Sequence, residues 1–169
     1  AFEIYYNEDT TISNFIRFHN WVGSDRDGNP AVTHKITKYA IQTQKICVTE
    51  KYINALKPLY DELSITVHDK TLVIELQNSI KTDLKNLWID SEIKDRLEFE
   101  PFRLKILCIQ NKLENHKAKL ISNNKTDYTP EDFISELKIV QTSVRLISNE
   151  SSVDKGPIQD LIIQAQIFG

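Results

Sequence analysis

Residues 15–33 read FIRFHNWVGSDRDGNPAVT, and here an alternating apolar pattern leads through a charged turn to a helix start. From Phe15 to Val22 the side chains alternate between two faces. Such period-two spacing, rich in aromatic and β-branched residues, predicts a strand. The segment SDRDGNP that follows predicts a turn, because glycine tolerates a positive φ and a proline pushes the preceding residue out of the α region. Thr33 is then placed to cap a helix that begins at His34.

The remainder of the chain is predicted to be helical. Apolar residues at helical spacing mark one face of a long helix from His34 to about Leu63, and Tyr39, Ile46 and Ile53 belong to that face. Pro58 lies inside this helix, so we expect a kink or a break there. Three further helices are predicted over residues 101–121, 130–147 and 157–168. Proline stands at or near the first position of each, where its missing N–H costs nothing.

The predicted fold class is therefore mainly α, a helical bundle segment with one short strand, Phe15–Val22. Residues 1–33 supply the strand and the charged loop, and residues 34–169 supply the helices. A chain of 169 residues with 40% hydrophobic content has the size and composition of one compact unit.

Composition and motif searches exclude several classes of function. A net charge of −3 with no basic stripe argues against nucleic acid as a partner, and no apolar run of about 18 residues predicts a membrane span. The histidines have no partner at metal-ligand spacing. A calcium loop starting at Asp25 fails, since Pro30 replaces the required glycine and Ile36 the bidentate acid. Cys47 and Cys108 are expected to be free, buried thiols, with a disulfide between them as the alternative. The Lys/Glu mixture over 111–119 is expected to be a solvated helix face.

The run from Phe18 to Thr33 resembles the signature of the phosphoenolpyruvate carboxylase family, in which Trp-x-Gly-Gly and Asp-Arg-Asp-Gly-Asn-Pro precede Val-Thr. Ser24 is the one departure, because the family usually has a second glycine there. We therefore expect that the turn needs no glycine-only conformation at Ser24. Two later segments, residues 100–114 and 132–139, are also similar to family segments.

The resemblance implies a parent enzyme that converts phosphoenolpyruvate and bicarbonate to oxaloacetate and phosphate with Mg²⁺ or Mn²⁺. Such a carboxylase, a carbon–carbon lyase, would be a homotetramer, and the absence of a signal peptide favours the cytoplasm. In that family the strand belongs to an α/β barrel. The family's catalytic histidine, glycine-rich loop and metal-binding acids are not found in this sequence. We therefore expect an excised segment that is inactive alone, with no catalytic residue, no metal and no bound cofactor.

Trp21 and Arg26 are the candidate residues of a pocket for bicarbonate or the carbon dioxide derived from it. The resemblance implies this role for the tryptophan, whose indole would keep water away from the enolate intermediate. Two flanking carboxylates can hold the guanidinium of Arg26 by charge-assisted bonds. The residues expected to support the loop are Asp25, Asp27, Gly28 and Asn29.

Each of these assignments has a plainer alternative. Trp21 could be a core tryptophan, and the charged turn could do no more than fix the strand-to-helix corner. Arg17 and His19 share a face with Trp21 and could line the same cavity, or could be satisfied by a salt bridge and a hydrogen bond. The rival to the enzyme hypothesis is a helical protein-interaction or regulatory module without catalysis.

Overall fold

The computed structural model describes residues 21–25, 27, 30–148 and 156–168, which form six α-helices joined by short connections. A single 3₁₀ turn, Lys70–Val73, leads directly into the second helix. The helices are α1 His34–Glu62, α2 Ile74–Asn86, α3 Ser91–Arg96, α4 Pro101–Ile121, α5 Pro130–Ser148 and α6 Pro157–Phe168. The mainly α fold class is confirmed.

The predicted strand Phe15–Val22 lies almost entirely outside the described residues. Of its members only Trp21 and Val22 are described, and Val22 stands in a turn instead of a strand. No strand occurs within the described ranges. The assignment of residues 15–20 to a strand, and the division of the chain at residue 33, stay predictions.

Helix α1 begins as its sequence predicts. Thr33 is the N-cap, and its Oγ1 accepts a hydrogen bond from the N–H of Ile36 at 3.5 Å. The helix then runs through Pro58 without a break, so that alternative is wrong, while a kink at Pro58 stays a prediction. Leu56 and Leu59, on either side of the proline, are almost completely buried. Their packing offsets the backbone hydrogen bond that the proline removes.

The first half of α1 is exposed, which corrects the predicted apolar face. Tyr39 is 71% exposed, whereas Ile53 further along the same face is buried. The buried residues of α1 begin only at Thr49. The fifteen residues before it extend roughly 22 Å at 1.5 Å per residue, and bury no side chain completely against the described neighbours.

The core forms where α4 packs against α1, α2 and α5, while α6 closes the bundle against α5 and α1. Helix α4 buries residues on more than one face, as a helix with neighbours on several sides must. The side chains of Leu56, Leu76, Phe102, Ile109 and Leu137 are completely buried there. Cys108 is also buried, but Cys47 is exposed; both are free, so the prediction of two buried thiols is half wrong.

The entrance to α5 is a reciprocal cap. The backbone N–H of Asp132 donates to Thr129 Oγ1 at 3.2 Å, and Asp132 Oδ2 accepts from the N–H of Thr129 at 2.9 Å. This arrangement satisfies two of the amides that a helix start leaves without partners. None of the described helices is long and apolar enough to cross a membrane.

Candidate functional site

A tight turn carries the described part of the signature. The N–H of Ser24 donates to the carbonyl of Trp21 at 3.1 Å, which closes the turn. Trp21 projects from it with 80% of its surface exposed. The core alternative for this tryptophan is therefore wrong within the described structure.

Gly23 holds the turn against α1 through a hydrogen bond and a close contact. Its carbonyl accepts a hydrogen bond from Thr37 Oγ1 at 2.6 Å, and its φ of +70° lies in the left-handed region. A Cβ added to Gly23 would lie 2.7 Å from the Cβ of Ala40. Both the backbone conformation and the close approach to α1 therefore require glycine. Ser24 has no positive φ, which explains why a residue other than glycine is accommodated there.

Replacing Gly23 with alanine is expected to loosen this turn. The substitution combines left-handed strain with a steric clash, for which we expect a cost of about 1–3 kcal/mol. Because Trp21 belongs to the turn, its fluorescence in a Trp88→Phe background reports the change as altered quenching by iodide. Ser24→Ala is the matched control and is expected to change the quenching little. Equal quenching in the two variants would contradict the role given to Gly23.

The acidic residues of the loop are partly described. The N–H of Asp27 donates to Asp25 Oδ1 at 3.2 Å, so the carboxylate of Asp25 closes its own short turn, and both residues are exposed. Arg26, Gly28 and Asn29 lie outside the described residues, as do Arg17 and His19. The proximity of Arg26 to Trp21 stays a prediction.

Comparison with known proteins decides the family. The sequence pattern of the family described as phosphoenolpyruvate carboxylase matches residues 2–169. The chain belongs to the phosphoenolpyruvate carboxylase family. Its relatives include the phosphoenolpyruvate carboxylases of Trichormus variabilis, 34% identical over 168 residues, and of Rhodothermus marinus, 29% identical over 171 residues. They cover 91% and 100% of this chain.

This member of the phosphoenolpyruvate carboxylase family spans only 16% of the length of the first relative and 18% of the second. No solved structure matches the chain. The signature that resembles the family lies inside the matched residues, as do the two later segments.

The first of those later segments links α1 to α4. Glu100 Oε2 accepts hydrogen bonds from Arg103 Nη1 at 3.0 Å and from Ser64 Oγ at 2.9 Å. The guanidinium of Arg103 lies over the ring of Tyr60, 4.2 Å from its centroid. The hydrogen bond from Arg103 is the main cause that lowers the pKa of Glu100, and the bond from Ser64 adds to it. This carboxylate therefore stays ionised and joins two segments of the chain.

A second polar cluster lies between α2, α4 and α5, and sequence reasoning missed it. Lys105 is completely buried on α4, and its Nζ donates to Ser79 Oγ at 2.7 Å. The same ammonium donates to Asp83 Oδ2 and to Glu136 Oε1, both at 2.6 Å. Lysine has three N–H donors, so all three are used.

A second lysine closes the cluster. Lys112 lies two turns after Lys105 on α4, and its Nζ donates to Asp83 Oδ1 and Glu136 Oε1. Tyr128 donates its hydroxyl proton to Glu136 Oε2 at 2.6 Å. We call these six residues the Lys105 network: Ser79, Asp83, Lys105, Lys112, Tyr128 and Glu136. Lys112 is half-buried, so the prediction of a solvated face over 111–119 is wrong at this position.

The Lys105 network is electrically balanced, since two ammonium groups face two carboxylates. Burial, reinforced by Glu136, raises the pKa of Tyr128 well above its ordinary value. Burial lowers the pKa of Lys112, but its hydrogen bonds to Asp83 and Glu136 outweigh that effect and raise the pKa overall. Both residues therefore stay protonated at neutral pH. Burial also raises the pKa of the neighbouring Cys108 to about 12, so this thiol is not ionised.

An open groove of about 500 Å³ lies above the network, between α2 and α5. Its lining includes Asn78 and Asp83 of α2, Lys112 of α4, and Ser135 and Glu136 of α5. Asp83, Lys112 and Glu136 are already paired with one another. Among the residues that the structure describes, no group of three or more His, Cys, Asp or Glu side chains is placed to hold a metal ion.

The sequence contains a pattern that indicates a buried lysine on α4. Phe102, Lys105, Ile109 and Lys112 recur along α4 at steps of three and four, the spacing of one helix face. A lysine inside such an apolar stripe indicates a buried cation that needs acidic partners, because an unpaired buried charge is strongly disfavoured. The identity of those partners depends on the packing of α2 and α5.

Proposed function

We propose that this chain works as part of a phosphoenolpyruvate carboxylase that converts phosphoenolpyruvate and bicarbonate to oxaloacetate and phosphate. The family match over residues 2–169 carries the proposal. The reaction needs Mg²⁺ or Mn²⁺ to stabilise the enolate that forms when phosphoenolpyruvate loses its phosphoryl group. The described residues do not fit such a metal site. We therefore propose that residues elsewhere in the enzyme hold the ion, and that the chain alone is inactive.

Within this function we propose that Trp21 walls the pocket that holds bicarbonate or carbon dioxide. Three features support the assignment. The indole is 80% exposed, so it is free to face another part of the enzyme. The turn that carries it is closed by the Ser24–Trp21 hydrogen bond and is tied to α1 by Gly23. An apolar wall on a fixed turn can exclude water from the enolate, which would otherwise take a proton and leave as pyruvate.

We further propose that Arg26 lines the same pocket, with Asp25 and Asp27 holding its guanidinium from both sides. The support is their adjacency in the signature and the hydrogen bond by which Asp25 orders the loop at Asp27. A guanidinium presents paired donors to an oxyanion, as bicarbonate recognition requires. We propose Gly28 and Asn29 as further supports of the loop.

The exposed first half of α1 gives these proposals a physical setting. Trp21, Val22 and Tyr39 are each at least 70% exposed, and the turn lies against the α1 segment that contains Ile36, Thr37 and Ala40. Such an apolar surface indicates contact with another polypeptide segment. A phosphoenolpyruvate carboxylase several times longer than this chain can supply that segment, in the cytoplasmic homotetramer that we propose. An interaction module would use the same surface, but it would not affect the products of a carboxylase.

Trp21→Ala tests this assignment in the full-length carboxylase that carries the segment. We expect the share of turnovers that end in pyruvate to rise by roughly an order of magnitude, because water reaches the enolate. Oxaloacetate and pyruvate are measured separately by reduction with malate dehydrogenase and lactate dehydrogenase. Trp88→Ala is the matched control, since Trp88 is 85% exposed but lies outside the signature. An unchanged ratio of the two products in Trp21→Ala would remove Trp21 from the pocket.

A further inference from the structure

The Lys105 network joins three helices through a closed ring of charges. Asp83 comes from α2, Lys105 and Lys112 from α4, and Glu136 from α5. Each carboxylate bonds both lysines, so neither α2 nor α5 can move along α4 without breaking contacts to two cations. The tightest part is completely sealed, because Lys105 has no exposed surface.

The apolar contacts around the network do not fix an axial position in the same way. Leu76 and Ile80 of α2 and Leu137 and Val140 of α5 are buried aliphatic side chains. Burial of such groups is non-directional, and side chains of similar size can exchange partners with little loss. These contacts hold the helices together but discriminate between neighbouring registers less sharply than paired buried charges do.

A shift of one helical turn, about 5.4 Å, illustrates the difference. On α2 it would bring Ser79 or Leu87 to the place of Asp83, and on α5 it would bring Asp132 or Val140 to the place of Glu136. Most of these combinations would leave the two lysines with only one carboxylate or with none, so that a positive charge would be buried without a balancing negative one. The cost of an unpaired buried charge would therefore fall on the shifted arrangement and not on the native one.

We propose that the Lys105 network is a register lock that selects one axial position of α2 and α5 on α4, instead of adding net stability. The free energy that is lost when four ions are desolvated offsets most of their electrostatic attraction. Well-packed apolar residues would therefore hold the helices equally strongly. The lock also affects the shape of the groove, because Asp83, Lys112 and Glu136 line it. Its role is to select a single arrangement of α2, α4 and α5.

The test is a combined apolar variant, Asp83→Leu, Lys105→Met, Lys112→Leu and Glu136→Leu, in the 169-residue chain with Cys47→Ser. Cys108 is then the one thiol in the sequence, and it is buried beside the network. We expect the thermal midpoint to stay within about 5 °C of the parent or to rise. We also expect native-state labelling of Cys108 to accelerate by about tenfold or more, with multiple amide peaks for residues of α2 and α5.

Ile80→Val is the matched control, because it weakens the same interface and leaves every member of the network in place. It is expected to lower the thermal midpoint slightly, with slow labelling of Cys108 and one amide peak per residue. Parent-like labelling and single peaks in the combined variant would show that apolar packing alone fixes the register. A combined variant that does not fold would show that the network adds net stability. Either result would overturn the proposal.

Discussion

Lys105→Met is expected to lower the free energy of unfolding by about 3–5 kcal/mol, the cost of breaking a buried ion pair from one side. The substitution removes three hydrogen bonds from a site without exposed surface. Asp83 and Glu136 would remain buried with Lys112 as their one cation within the described structure. Denaturation of the chain by urea, followed by circular dichroism at 222 nm, measures the loss.

Two lysines serve as controls for this prediction. Lys112 bonds the same carboxylates, but 22% of its side chain is exposed, so water can replace part of what Lys112→Met removes. Lys138 lies on α5 and is exposed, and Lys138→Met is expected to change stability by no more than about 0.5 kcal/mol. Equal losses in the free energy of unfolding for Lys105→Met and Lys138→Met would show that removing the buried cation leaves no costly unpaired charge.

Phe102→Ala is expected to cost about 3–5 kcal/mol, because it empties a fully enclosed aromatic site. Phe102 directly follows the proline that begins α4 and has no exposed surface. The same urea experiment measures this loss as a fall in the denaturation midpoint.

Phe99→Ala is the matched control, since Phe99 lies three residues earlier and is 45% exposed. Its ring contacts His68 and Lys70 at the surface, and its removal is expected to cost about 1 kcal/mol or less. Comparable losses for the two phenylalanines would contradict the position given to Phe102 in the core.

The starts of α1, α4, α5 and α6 could be predicted because their causes are local. Thr33 caps α1, Pro101 begins α4, and Thr129 forms a reciprocal cap with Asp132. Each cap joins residues no more than three positions apart, so the residue types and their spacing suffice. The family was recognised in the same way, from the contiguous run that ends at Thr33.

The errors share one origin, which is packing between segments distant in sequence. Tyr39 belongs to the apolar face of α1, yet no described neighbour covers it, and Pro58 stays helical since the residues around it are buried.

The sequence by itself determined where four of the six described α-helices begin, that the chain is mainly α and which family it belongs to. Only the tertiary structure decided that Lys105 is a buried cation, because its partners Asp83 and Glu136 lie 22 and 31 positions away. Periodicity can show that a side chain points inward. It cannot show which charges the other helices bring to meet it, since that depends on how whole elements pack together.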